Sequence, residues 1–188
     1  MSVLNREQWL EKATETLRKS LFKSAGAEIP TVRVTNGFPG SRAKSGRVGE
    51  FWKGEASDDG IPQVFVSPVL SDSNAVLAVL SHELVHACVP LDGHGREFRR
   101  IALSIGLVGK MTATKAGPDL VAFFNKVIDR IGVYPHSALN VSSRKVQSTR
   151  LLKVCCASCG YVVRITTRWI STGLPLCPCS HSPMVVAS

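Results

Sequence analysis

"SHELVHACVPLDGHGREF", residues 81–98, sets two histidines and a glutamate within five positions, then a third histidine between two glycines. The residues just before it are apolar: Ala75 to Leu80 run without interruption. The whole of "SDSNAVLAVLSHELVHACV" predicts a buried helix, capped by Ser71 or Asp72 and ended by Pro90. On that helix His82 and His86 lie one turn apart on the same face. Two imidazoles so placed can grip one Zn²⁺, and Glu83 can reach a water the metal activates and act as general base. Zinc lowers the pKa of such a water towards ~7 and polarises a carbonyl, which a carboxylate alone does not do. The competing reading is a set of hydrogen-bonded core histidines. Either way the three polar side chains need partners, because unpaired polar groups in an apolar helix are costly.

His94 is the preferred third ligand. It follows His86 by eight residues, beyond Pro90, and Gly93 and Gly95 let the backbone turn and present the ring. A neutral imidazole is the usual companion of two others on zinc. Asp92 is the rival, since it falls at the third-ligand position of H-E-x-x-H-x-x-G-x-x-H. That pattern needs Gly where this chain has Val89, followed by Pro90. Glu97 reads as the solvated face of a following helix. A fourth coordination position would remain open for water and substrate.

"HELVHA" followed by "GHGREF" resembles the SprT-like, or Spartan-type, metalloproteases, in which HExxH precedes a third histidine in a G-H-G-x-x-F context: here Gly93, His94, Gly95 and Phe98. The resemblance implies His82, His86 and His94 as ligands and Glu83 as catalytic acid/base. It also implies an α+β zincin-like domain with a small sheet beside the HExxH helix, and commonly a C-terminal zinc ribbon. In layout it covers residues 5–186, but only 82–98 is specific. The compact length and the "CPC" ending are most similar to SprT-like proteins of bacteriophages and prophages. That origin would place the chain in a bacterial host cytoplasm.

The rest of the chain suits such a layout. "NREQWLEKATETLRKSLFKSAG" predicts an amphipathic helix, with Asn5 and Gln8 as a capping box and Gly26 as its end. Short β-like runs follow at 31–35, 47–52 and 62–68. Further helices are expected from about Gly95 to Ile105 and from about Pro118 to Ile131. Residues 1–134 form the expected zincin-like domain, 135–149 a polar linker and 150–188 a small β unit.

That unit holds five of the six cysteines. Cys156 and Cys159 make a tight knuckle, and Cys177 and Cys179 a second one eighteen residues on, the pattern of a structural zinc ribbon. C-x-C replaces the usual C-x-x-C, so His181 is an alternative to Cys179. Cys155 is spare, and Cys88 reads as a small buried side chain. "YVVRITTRWIS" is expected to supply the hairpin between the knuckles. Two zinc ions, one catalytic and one structural, are thus expected.

The 188 residues are 44% hydrophobic with a net charge of +9. Seven of the 23 basic residues and none of the 14 acidic ones lie in 130–188, leaving the first 129 near balance. A basic tail suggests a polyanion, most commonly nucleic acid. Lys153, Arg164 and Arg168 with Tyr161 and Trp169 could hold phosphate and stack bases, with single-stranded DNA preferred. The alternative role for Tyr161 or Trp169 is filling a minimal core. No apolar run is long enough to span a bilayer, and the N-terminus does not read as a signal peptide. A reducing cytoplasm is the expected location and a monomer the expected state. The functional expectation is a zinc endopeptidase acting on DNA-associated or DNA-crosslinked proteins. The alternatives are a non-catalytic nucleic-acid-binding zinc protein and a zinc hydrolase acting on a non-protein substrate.

Overall fold

A computed structural model describes residues 4–40, 46–143 and 151–187. The chain is α+β and divides into two compact units, with the boundary between Ser142 and Ser143.

In the first unit, α1 (Arg6–Leu17) opens on the capping box: Asn5 accepts from the Gln8 amide at 2.9 Å and the Gln8 side chain accepts from the Asn5 amide at 3.0 Å. Trp9, Leu10, Ala13 and Leu17 form its buried stripe, and the helix continues as a π-helical turn over Arg18–Phe22. Three short strands follow, β1 (Arg33–Asn36), β2 (Gly49–Trp52) and β3 (Gln63–Val66), in the order β1-β3-β2. β3 is central, parallel to β1 and antiparallel to β2. Val64 and Val66 point from β3 into the core, and β2 is an edge strand.

The helix that carries the histidines, α2 (Ser73–Cys88), is capped by Asp72, whose carboxylate accepts from the Ala75 amide at 2.8 Å. Val76, Leu77, Leu80, Leu84 and Val85 are fully enclosed, so α2 runs through the middle of the unit. It packs on β2 and β3, on α1, α3 (Arg96–Ser104) and α4 (Pro118–Ile131), and on a later strand over Ala113–Ala116. Each such leucine or valine contributes about 1.5–3 kcal/mol by leaving water, which fixes the axis on which the polar face is mounted. Between α3 and α4 lies an antiparallel hairpin, β4 (Leu107–Lys110) and β5 (Ala113–Ala116). The sequence reading had no strands there.

Past α4 the chain stays tied down. The Trp9 indole donates to the Gly132 carbonyl at 2.8 Å, Tyr134 is buried and accepts from Asn36, and His136 donates to the Pro68 carbonyl. The Leu139 amide also donates to Pro68. The start of the expected 135–149 linker is therefore packed on the first unit. Its last six positions, 144–149, lie outside the described residues.

The second unit is a three-stranded antiparallel sheet, β6 (Leu151–Cys155), β7 (Val162–Thr166) and β8 (Val185–Val186), in the order β7-β6-β8. The stretch 161–171, expected to supply the hairpin between the knuckles, contributes only one strand, which ends at Thr166 and pairs with β6 across the first knuckle. Thr167–Ile170 instead form a single helical turn, α5. Among the described residues the unit's buried core is Val154, Cys156, Cys177 and Met184.

Candidate metal centres

α2 carries His82 and His86 one turn apart with Glu83 beside them, and the loop after Pro90 brings His94 to the two imidazoles. His94 Nε2 lies 3.3 Å from His82 Nε2 and 3.2 Å from His86 Nε2. Ligands about 2.0–2.1 Å from a tetrahedral zinc sit about 3.3–3.4 Å from each other, so the three nitrogens fit one such ion. The Phe98 ring is fully enclosed and lies beside all three imidazoles, with centroids 4.4–5.0 Å away. Burial lowers all three histidine pKa values. Burial and the neighbouring imidazoles take His82 to about 4 and His86 to about 3. The rings are therefore neutral at pH 7, as metal ligands must be.

His82 Nδ1 is 2.8 Å from the Thr114 hydroxyl on β5. A ring that keeps Nε2 as an acceptor carries its proton on Nδ1, so this bond fixes both tautomer and orientation.

The loop "DGHG" divides its labour. Asp92 accepts from the Phe98 amide at 2.8 Å and so caps α3, whose own N-cap, Gly95, has no side chain to do it. A Cβ at Gly95 would meet Asp92 Oδ1 at 2.6 Å. Gly93 takes the left-handed conformation, φ +57°. Asp92 is thus occupied as a cap and is not in the ligand cluster, which consists of His82, His86 and His94. Glu97 pairs with Arg100 at 2.8 Å, away from the cluster.

Glu83 is 7% exposed. Burial and then the Glu50 charge raise its pKa to about 8, with Arg47 pulling the other way. Its carboxylate fits because residue 49 on β2 is glycine: a Cβ there would stand 2.5 Å from Glu83 Oε1 and 2.5 Å from Val79 Cγ1. Arg47, Gly49, Glu50 and Phe51 join Glu83, His86 and His94 around a pocket of about 440 Å³. Burial disfavours the Glu50 anion, but the Gly40 amide, the Trp52 side chain and Arg47, at 2.7 Å, hold its carboxyl below the usual range. The sequence reading has Arg47, Gly49 and Glu50 only as part of a β-like run and assigns neither them nor Thr114 to the site. Nothing in their local pattern marks them, and only the tertiary pairing of β2 and β5 with α2 brings them here.

In the second unit the sulfurs of Cys156, Cys159, Cys177 and Cys179 all lie within 4.8 Å of one another. Cys159 and Cys177 are 3.5 Å apart, and Cys177 and Cys179 3.3 Å, far beyond a disulfide bond. Four thiols converging this way suit a closed tetrahedral zinc site. Amide donors from Cys159 and Ser158 bring the Cys156 thiol down to about 6, and the Cys179 amide lowers Cys177. The Cys159 and Cys177 sulfurs raise Cys179, since neighbouring thiolates resist one more negative charge. His181 is exposed and outside the cluster; its amide donates to the Cys177 carbonyl. Cys155 faces the other side of β6, paired with Val162 and Val185.

The five residues proposed to contact nucleic acid do not form one patch. Lys153 and Arg164 are directly opposed across β6 and β7, exposed on the same outer face. Arg168 stacks on Trp169 at 5.3 Å, and Trp169 lines a separate groove with Ile165, from the other face of β7. Tyr161 stands at the first knuckle, where its carbonyl accepts from the Cys156 amide. Tyr161 and Trp169 are 50% and 55% exposed, so neither fills the core.

No protein-family model, curated protein or solved structure matches the chain. Among the described residues no helix is long and apolar enough to cross a membrane.

Proposed function

We propose that the first unit is a zinc endopeptidase of zincin-like, SprT-like type, with His82, His86 and His94 as ligands and Glu83 as general base. The observation that carries this reading is a neutral three-histidine cluster with a nearly buried carboxylate beside it, Glu83 sharing one pocket with His86 and His94. A purely structural zinc site takes four protein ligands and needs no base. Zinc bound there would acidify a water and polarise a scissile carbonyl.

The chain's own residues would do the rest. Glu83 takes the proton of the attacking water and returns it to the leaving amine. Thr114 holds His82 in register. Phe98 keeps bulk water from the far side of the imidazoles. The edge strand β2 borders the pocket, and its outer edge pairs with no strand among the described residues. A polypeptide backbone can therefore align along it by strand addition.

The partners proposed are protein substrates bound or crosslinked to DNA, with the second unit contacting the DNA. The like-charged Lys153–Arg164 pair supports the DNA contact. Opposed like charges destabilise a sheet unless an anion is shared between them.

The test is peptidase activity of the zinc-loaded full chain, with and without single-stranded DNA, beside Glu83→Gln at equal zinc content. The reading requires cleavage by the wild type and none by the variant. Zinc-dependent hydrolysis of a non-peptide ester alone would favour the general hydrolase. DNA binding with no hydrolysis would favour a non-catalytic zinc protein.

A further inference from the structure

A second, larger groove of about 1030 Å³ opens at the C-terminal end of α2. Phe51 is the one residue that lines both it and the metal pocket. The Phe51 ring lies nearly parallel to His86, at 6.3 Å and 13°. A chain laid along β2 would therefore pass from the metal pocket into the groove across this single side chain.

Ile61 and Leu91 belong to the groove's apolar wall, and Leu91 is 84% exposed. Its charged residues are Glu28, Glu55, Asp58 and Lys53, a net of −2 in a chain of +9. None of the three carboxylates is in an ion pair among the described residues, whereas the adjacent Asp59 pairs with Arg33.

We infer, building on the peptidase reading, that this groove is a substrate subsite for a large apolar side chain flanked by lysine or arginine. The apolar wall gives the anchor, since an occupant removes Leu91 and its neighbours from water. The unpaired carboxylates select the flanks, because opposed charges at a rim set specificity more than affinity. A protein of net charge +9 repels basic peptides at long range, so a preference for them has to arise from this local rim. A surface turn that is acidic only for solvation would show no such preference.

The experiment uses the zinc-loaded full chain and peptides of equal length. One carries leucine between lysines, one leucine between glutamates, and one serine between lysines. Binding is read by fluorescence anisotropy on Glu83→Gln, and kcat/KM on the wild type. The leucine–lysine peptide should be preferred about fivefold to tenfold over the leucine–glutamate one, as two exposed charge pairs allow, and about tenfold over the serine–lysine one, as burying one leucine allows. The charge preference should shrink with added salt. Glu55→Lys with Asp58→Lys should abolish or invert it at unchanged zinc content and melting temperature.

Cleavage or binding without charge preference, no binding of any peptide, or a preference that survives the double reversal, overturns the groove assignment. Selective binding to Glu83→Gln with no cleavage by the wild type sinks the peptidase reading and leaves the groove assignment standing.

Discussion

Glu83 is a carboxylic acid held where its anion is expensive, and that has a pH signature in the metal-free protein. Its folded pKa of about 8 lies above the ordinary 4.5. Its contribution to stability is therefore complete below pH 4.5 and is lost as pH rises through 8. His82 and His86 have the opposite sign: folded values of about 4 and 3 against 6.5 give stability that is present above pH 6.5 and lost on acidification toward 4 and 3. Metal-free Glu83→Gln should thus melt above wild type at pH 8–9, on the order of 5 °C, with the gap closing by pH 5. Thermal melts of both proteins across that range check this. With zinc bound, the same substitution should lower kcat/KM by at least about 10²–10⁴-fold, the usual worth of a positioned base, at unchanged metal content. Thr114→Val removes the hydroxyl at His82 Nδ1 and should weaken the first metal site by about 10–100-fold, measured by chelator competition. At this scale the histidine cluster was legible because helical spacing pairs His82 with His86, and because Gly93 and Gly95 single out His94. Thr114 lies 32 residues from His82, and no local pattern connects the two.

Two elements meet where β2 crosses α2, and the meeting allows no side chain at residue 49. Gly49→Ala should cost about 1–3 kcal/mol, as overpacking does, and displace Glu83 or Val79. The check is a chemical melt combined with activity; a fully stable, fully active variant would contradict the packing described. Asp92→Ala should cost about 1 kcal/mol by uncapping α3, and should weaken the first metal site less than His94→Ala does. α2 was readable because its apolar run ends in helix-compatible ligands bounded by Asp72 and Pro90. The β4–β5 hairpin was not, since β4 buries only Leu107 and β5 buries no side chain fully. Residues 167–170 look like a strand by composition, because Thr, Trp and Ile favour one. Their backbone instead makes a single helical turn, which carries Trp169 off the sheet.

For the whole chain, two zinc ions are expected per molecule. Cys177→Ser should lower this to one, leaving the histidine site loaded, as elemental analysis of purified protein would show. DNA affinity should fall with salt, and Arg164→Ala should reduce the salt slope by about one contact. Trp169→Ala, acting from a different face, should leave that slope unchanged. The division into a histidine-bearing unit and a cysteine-bearing one was visible in the sequence, since each ligand set is compact along the chain. The packing of 134–139 onto the first unit was not, because it rests on single hydrogen bonds to distant partners such as Asn36 and Pro68.

In most domains the core and the metal site can fail separately. In the second unit they cannot: two of its four buried core residues, Cys156 and Cys177, are themselves candidate ligands. An oxidant that takes either sulfur removes a wall and a ligand in one event, so the unit has no partly damaged form to dwell in. Amide hydrogens of β6 and β7 should then exchange together, in a single opening that leaves no protected remnant.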